Sequence, residues 1–135
     1  MITGRCECAA VRFQVDGPVE DFSHCHCGQC RRLHGAAFVS FAGVAVSDFS
    51  YLSGENQLGR YKSSEKNTRV FCKNCGSNVL VASRYEPDSL YLSMGTLDDG
   101  DFELPPAYHT YMASKAAWFK FDDGAPRYDL EPDDS

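Results

Sequence analysis

The sequence predicts a small, mainly β domain. Three observations carry that expectation: short runs in which apolar and polar residues alternate, turn-forming clusters between those runs, and weak helix signals. Many short strands separated in this way pack as a sandwich or an open barrel. With 135 residues, 43% of them hydrophobic and 13% aromatic, the chain can bury one core and has little room for a second.

The elements follow in order. Val11, Phe13 and Val15 alternate with Arg12 and Gln14, the pattern of a half-buried strand, and Asp16-Gly17-Pro18 then turns the chain. Further strands are expected over residues 37–41, 49–52, 68–71, 79–81 and 90–94. Residues 53–56, 86–89 and 98–101 supply turn chemistry between them. A helical turn fits residues 30–34 ahead of Gly35, and a second fits residues 114–119. The reading is one domain over residues 1–128 followed by an acidic tail, 129–135, expected to fray.

Charge excludes some functions. The formal net charge is −6 and the basic residues are scattered, apart from the adjacent pair Arg31 and Arg32. Such a surface repels a phosphate backbone, so nucleic acid is not an expected partner. No stretch is apolar and long enough to cross a bilayer, and the start of the sequence has no signal-peptide core. The expectation is a cytoplasmic protein with no membrane partner.

Seven cysteines demand a reason. The number is odd, so they cannot all pair internally, and a reducing compartment disfavours disulfides in any case. All seven fall in C-x-C or C-x-x-C spacings: Cys6 and Cys8; Cys25, Cys27 and Cys30; Cys72 and Cys75. Such spacings bring several sulfurs into one coordination shell, and thiolates favour a tetrahedral zinc ion. Gly76, directly after Cys75, lets the backbone turn with positive φ and aim amides at the sulfurs. Four cysteines close a structural site and three leave a position open. The compact triplet is Cys25, Cys27 and Cys30, with Cys6, Cys8, Cys72 and Cys75 as the quartet. Spacing alone also permits a ribbon of Cys27, Cys30, Cys72 and Cys75, leaving Cys6, Cys8 and Cys25. An iron–sulfur cluster fits less well, since the spacings match neither common ferredoxin pattern.

Taken together, these motifs resemble the glutathione-dependent formaldehyde-activating enzyme family, whose domain is shared with centromere protein V. The resemblance rests on Gly4-Arg5-Cys6-Glu7-Cys8 with Val11-Arg12-Phe13; on residues 25–32 with Gly35-Ala36-Ala37-Phe38; and on residues 69–77. Gly95-Thr96-Leu97-Asp98-Asp99, Pro106, His109, Trp118 and Pro126 extend it, so that it runs from about residue 4 to residue 128. The resemblance implies a β-tent fold, small sheets around two zinc sites. It implies a structural zinc on Cys6, Cys8, Cys72 and Cys75 and a catalytic zinc on Cys25, Cys27 and Cys30. It further implies addition of a thiol, glutathione, to formaldehyde or another small aldehyde, the reverse being a carbon–sulfur lyase reaction. A different class of function on the same fold is a non-enzymatic zinc module for protein binding.

Other residues complete the candidate set. Arg31 and Arg32 could meet the carboxylates of glutathione. His24 and His26 could shuttle protons or fill a fourth metal position, and His34 could face the triplet across a helical turn. Asp98 and Asp99 read as a turn, Trp118 as a core or pocket-wall residue, and His109 as a hydrogen-bonding support.

Overall fold

The structure, a computed structural model, describes residues 1–132; the end of the acidic tail expected over 129–135 lies outside the described residues. In chain order the strands are β1 (Ile2–Arg5), β2 (Arg12–Val15), β3 (Asp21–Cys25), β4 (Val39–Ala45), β5 (Phe49–Ser53), β6 (Leu58–Lys62), β7 (Asn67–Cys72), β8 (Asn78–Ser83), β9 (Ser89–Ser93) and β10 (Tyr108–Thr110). One short helix, α1 (Gly28–His34), lies between β3 and β4. The fold is mainly β, as the alternating runs predict.

The strands form two sheets. β1, β2 and β5 make a three-stranded sheet, and the others make a seven-stranded sheet in the order β10-β3-β4-β9-β8-β7-β6. Neighbours in both sheets are antiparallel, except that β10 runs parallel to β3. The inward faces of the two sheets share one core, in which Phe13, Val11, Val15, Val44, Val79 and Leu92 are essentially inaccessible. Phe13 stacks on Phe49 with ring centroids 5.3 Å apart. Gly4 permits this packing: a Cβ there would collide with the Phe13 ring and the Thr96 carbonyl oxygen.

Local chemistry explains α1. Cys27 caps its N-terminus, its Sγ accepting a hydrogen bond from the Cys30 N–H at 3.2 Å, the role usually taken by Ser or Asp. The sulfurs therefore shape the backbone that presents them.

The second expected helix, over 114–119, is not there. A single 3₁₀ turn occupies Met112–Ser114. The amides of Tyr111, Met112 and Ala113 donate instead to the carbonyls of Leu130, Tyr128 and Asp129, which ties this stretch to the end of the chain rather than to a helix. Trp118, expected in a core or pocket wall, is 69% exposed. No helix among the described residues is long and apolar enough to cross a membrane.

Because Phe13 fills the contact between the sheets, Phe13→Ala is expected to destabilise the fold by about 3–5 kcal/mol, read as a lowered urea midpoint with metal bound.

Candidate functional site

The structure gathers the seven cysteines into two groups. The Sγ atoms of Cys6, Cys8, Cys72 and Cys75 lie within 4.8 Å of one another, and so do those of Cys25, Cys27 and Cys30. The ribbon grouping that spacing also permits, Cys27 and Cys30 with Cys72 and Cys75, is not the one observed.

The four-sulfur group is assembled by two turns. After β1 the chain turns through Ala9, at φ 66, and Cys6 exchanges backbone hydrogen bonds with Val11 and Ala9. After β7 it turns through Gly76, at φ 82, with the Gly76 N–H donating to the Cys72 carbonyl at 2.8 Å. Ser77 locks the turns together, its Oγ accepting from the Glu7 N–H at 2.9 Å. Donors point at the sulfurs: the Val11 N–H at Cys6 Sγ, 3.3 Å, and Asn74 Nδ2 at Cys8 Sγ, 3.2 Å. The Asn74 amide lowers the Cys8 thiol, and the Ser77 hydroxyl brings Cys75 down to about 5; burial pushes Cys72 up to about 11.

The three-sulfur group is built at the end of β3. Cys25 is its last residue, Cys27 caps α1, and Cys30 lies on the first turns of the helix. Cys25 Sγ and Cys30 Sγ are 3.4 Å apart. Hydrogen bonds from Cys25 and then Cys30 drive the Cys27 thiol far down, while hydrogen bonding to Cys27 pushes Cys25 far up. The three thiols thus compete for negative charge, and a cation beside them would offset the cost of ionising all three.

Both groups fit a thiophilic metal. A tetrahedral zinc with Zn–S bonds of about 2.3 Å sets its sulfurs about 3.8 Å apart. The separations of 3.6 Å for Cys6–Cys8 and 3.8 Å for Cys8–Cys72 agree with that edge, and the 3.4 Å of Cys25–Cys30 is close to it. The quartet offers a closed donor set. Among the described residues no fourth Cys, His, Asp or Glu joins the triplet.

The triplet forms the floor of a cleft of about 640 Å³. On β7, Arg69 faces it. This guanidinium is only 5% exposed, and both its terminal nitrogens lie 3.6 Å from Cys30 Sγ. Ser63 Oγ and Gln29 Oε1 accept its remaining hydrogen bonds at 3.1 and 3.0 Å. Arg69 therefore offsets thiolate charge and fixes where the sulfurs sit. Tyr111 closes one side, with its backbone at φ 55 and its ring against the cysteine cluster. Tyr91, Tyr108, Lys66, Asp21, Glu86 and Glu131 complete the walls.

Several expected candidates lie elsewhere. Residues alternate across β3, so Cys25 faces the cleft while His24 and His26 face the opposite side. There His26, fully buried, bonds through Nε2 to His109 Nδ1 at 2.8 Å, and His109 Nε2 meets Asp123 Oδ2 at 2.7 Å. His24 bonds to Ser40 Oγ at 2.7 Å. Neither His24 nor His26 lines the cleft, and burial holds His26 down to about 4. His34 rests edge-on against Phe41 and does not line the cleft. Arg31 donates to the Ser114 carbonyl and, with Arg32 and Trp118, borders a separate small hollow. The basic residues of the cleft are instead Arg69 and Lys66. Asp98 accepts from Thr3 Oγ1 at 2.7 Å and clasps a turn, as its setting predicts.

Comparison with known proteins shows the family. The family model described as glutathione-dependent formaldehyde-activating enzyme matches residues 1–114. A Schizosaccharomyces pombe protein described as an uncharacterized lyase is 34% identical over 79 residues, 58% of this chain and 56% of the yeast protein, so the match spans little more than half of that relative. A Halomonas elongata protein, assigned by its name provisionally to the glutathione-dependent formaldehyde-activating enzymes, is 23% identical over 128 residues, 90% of this chain and 82% of the relative. The crystal structure of a Rhodobacter sphaeroides protein superposes with a TM-score of 0.62 at 24% identity, covering 73% of this chain and 90% of that one; this likeness is one of fold.

The geometry predicts two metal ions per chain by elemental analysis. Cys27→Ser is expected to leave one ion and a folded domain, whereas Cys75→Ser is expected to lose the fold along with its ion. Arg69→Met should weaken metal retention at the triplet about 10–100-fold, measured by competition with a chromogenic chelator.

Proposed function

The chain belongs to the glutathione-dependent formaldehyde-activating enzyme family, and we propose that it is a zinc-dependent carbon–sulfur lyase or carrier for glutathione adducts of formaldehyde or another small aldehyde. Cys25, Cys27 and Cys30 would hold the catalytic zinc, and Cys6, Cys8, Cys72 and Cys75 the structural one. A zinc bound by three thiolates supplies a place for an incoming thiol and lowers its pKa. The observation that carries the reading is the triplet itself: three sulfurs on the floor of a cleft, with no fourth protein donor among the described residues.

The net reaction balances without a redox partner. A bond forms between the thiol sulfur and the carbonyl carbon, the carbon–oxygen π bond breaks, and the thiol proton ends on the new hydroxyl. The reverse step breaks the same carbon–sulfur bond. The protein's residues have separable parts in this. Arg69 steadies the negative charge that collects at Cys30 and keeps the triplet in register. Phe41, Val81 and Tyr111 narrow the floor and limit water. Ser23 and Thr110 place hydroxyls along the cleft beside Cys25, within reach of a polar substrate chain.

The presence of a cleft above the triplet also weighs against a purely protein-binding role. A binding module would be complete with the four-sulfur group alone, and nothing about it would require three further cysteines at the base of a concave polar cleft.

Zinc-loaded protein is expected to accelerate formation of S-hydroxymethylglutathione from glutathione and formaldehyde, followed by NMR. Cys27→Ser should return the rate to the spontaneous value while circular dichroism stays unchanged. Equal rates with and without the wild-type protein would remove the enzyme claim, and glutathione binding by calorimetry would then decide for a carrier.

A further inference from the structure

We propose that His24, His109 and Asp123 form a third metal site, separate from both cysteine groups, that takes a divalent transition-metal ion such as zinc. The site lies on the face of β3 opposite the triplet. It is independent of the thiol chemistry proposed above.

Strand pairing puts the two histidines together. β10 runs parallel to β3, with His109 registered directly against His24. Paired residues of neighbouring strands stand about 4.8 Å apart and project to the same face. The imidazole centroids are accordingly 4.8 Å apart, with their planes 35° from one another. Asp123 comes to them from the C-terminal segment, which turns through Gly124 at φ 72. A ring nitrogen of each histidine and a carboxylate oxygen of Asp123 lie within 4.8 Å of one another. Zinc, with bonds of about 2.0–2.1 Å to such donors, sets them about 3.3 Å apart, so closure asks for a shift of about 1.5 Å at most. The side chain of Asp123, which would make most of that shift, is 44% exposed.

Each of the three is oriented by a group outside the set. Ser40 Oγ holds His24 Nδ1 at 2.7 Å, which leaves Nε2 for an ion. His26 Nε2 holds His109 Nδ1 at 2.8 Å, which presents His109 Nε2 beside Asp123 Oδ2, 2.7 Å away. The Ala125 N–H donates to Asp123 Oδ1 at 3.1 Å and leaves Oδ2 toward the histidines. Histidines that ligate a metal characteristically have their other ring nitrogen held in this way. Two imidazoles and a carboxylate suit zinc and its neighbours in the first transition row, and three protein donors leave positions for water. Among the described residues no Lys or Arg pairs with Asp123. Lys115 and Arg127 lie over the Phe121 ring instead.

His26 supplies an independent observation. Its ring is fully buried against Phe38, Phe121 and His109, and its Nδ1 has no hydrogen-bond partner. Buried polar groups are normally satisfied, so an imidazole left one bond short needs a reason. The reason assigned here is the bond it makes behind His109. Without an ion, His109 donates its Nε2–H to Asp123 and accepts from the His26 Nε2–H. With an ion on His109 Nε2, the His109 proton sits on Nδ1 and is donated to His26 Nε2, so His26 carries its own proton on Nδ1. The ion thus switches both tautomers, a change that a purely structural chain of hydrogen bonds would not undergo.

The test titrates zinc calorimetrically into protein whose cysteine groups are already zinc-loaded, with ¹H–¹⁵N spectra of the histidine rings recorded at each step. Wild type is expected to take up one further ion. The Nε2 signals of His24 and His109 should shift, and the His26 proton should move from Nε2 to Nδ1. With circular dichroism unchanged, Ser40→Ala should weaken this uptake about tenfold and Asp123→Ala about 100-fold or more. No further uptake at millimolar zinc overturns the site. Uptake that leaves the Nε2 signals of His24 and His109 in place, or that Asp123→Ala retains at wild-type strength, overturns it too, the zinc then being an adventitious ion only. The wild-type spectra decide without any variant having to fold, and neither glutathione binding nor turnover bears on the result.

Discussion

Thiolates packed against one another repel, and much of this molecule is arranged around that repulsion. Four sulfurs converge from two distant turns, and three converge from six consecutive residues. A cation at the centre of either group offsets the Coulomb cost of gathering several negative sulfurs. The protein supplies what partial relief it can: amide donors on Cys6 and Cys8, a hydroxyl on Cys75, and a buried guanidinium on Cys30. These donors also fix the sulfurs in space, so the same contacts that relieve the charge define the coordination shells. The quartet joins the chain between β1 and β2 to the turn between β7 and β8, holding one sheet to the other beside a core of modest size.

The two groups sit differently. The quartet gathers four sulfurs between two turns. The triplet lies where β3 gives way to α1, in the lining of a cleft, and among the described residues no fourth Cys, His, Asp or Glu joins it. Behind it, on the other face of β3, the packed histidines His24, His26 and His109 with Phe38 and Phe121 form a rigid aromatic backing. One strand thus presents cysteine to the cleft on one side and packs histidine on the other.

The parts of the fold legible in the sequence are the short apolar runs. β2 alternates plainly, and β4, β5, β7, β8 and β9 overlap the runs at 37–41, 49–52, 68–71, 79–81 and 90–94. β3 does not show this pattern because its polar residues, Asp21 and Ser23, face a cleft rather than open solvent, and its other face buries histidine. β10 is three residues long and β6 has only one strongly apolar residue at its start, Leu58, so neither announces itself. The cysteines were legible because ligand spacing is local. Arg69 was not: a basic residue in an alternating strand reads as the solvent side, and only the tertiary structure shows it turned onto a sulfur. Likewise the adjacent Arg31 and Arg32 drew attention by proximity in sequence to Cys30, but a helix sends successive side chains in different directions, and these leave the cleft.

The four-sulfur turn pair has a bearing on how the chain comes into being. Cys8 and Cys72 are 64 positions apart, and β10 must reach β3 from still further along. At ribosomal rates of about 5–20 residues per second, the first pair of thiols waits roughly 3–13 s before its partners have been made. For that interval Cys6 and Cys8 travel as a bare dithiol on an unfinished chain, dependent on the surrounding reductant to arrive at the closure unspent.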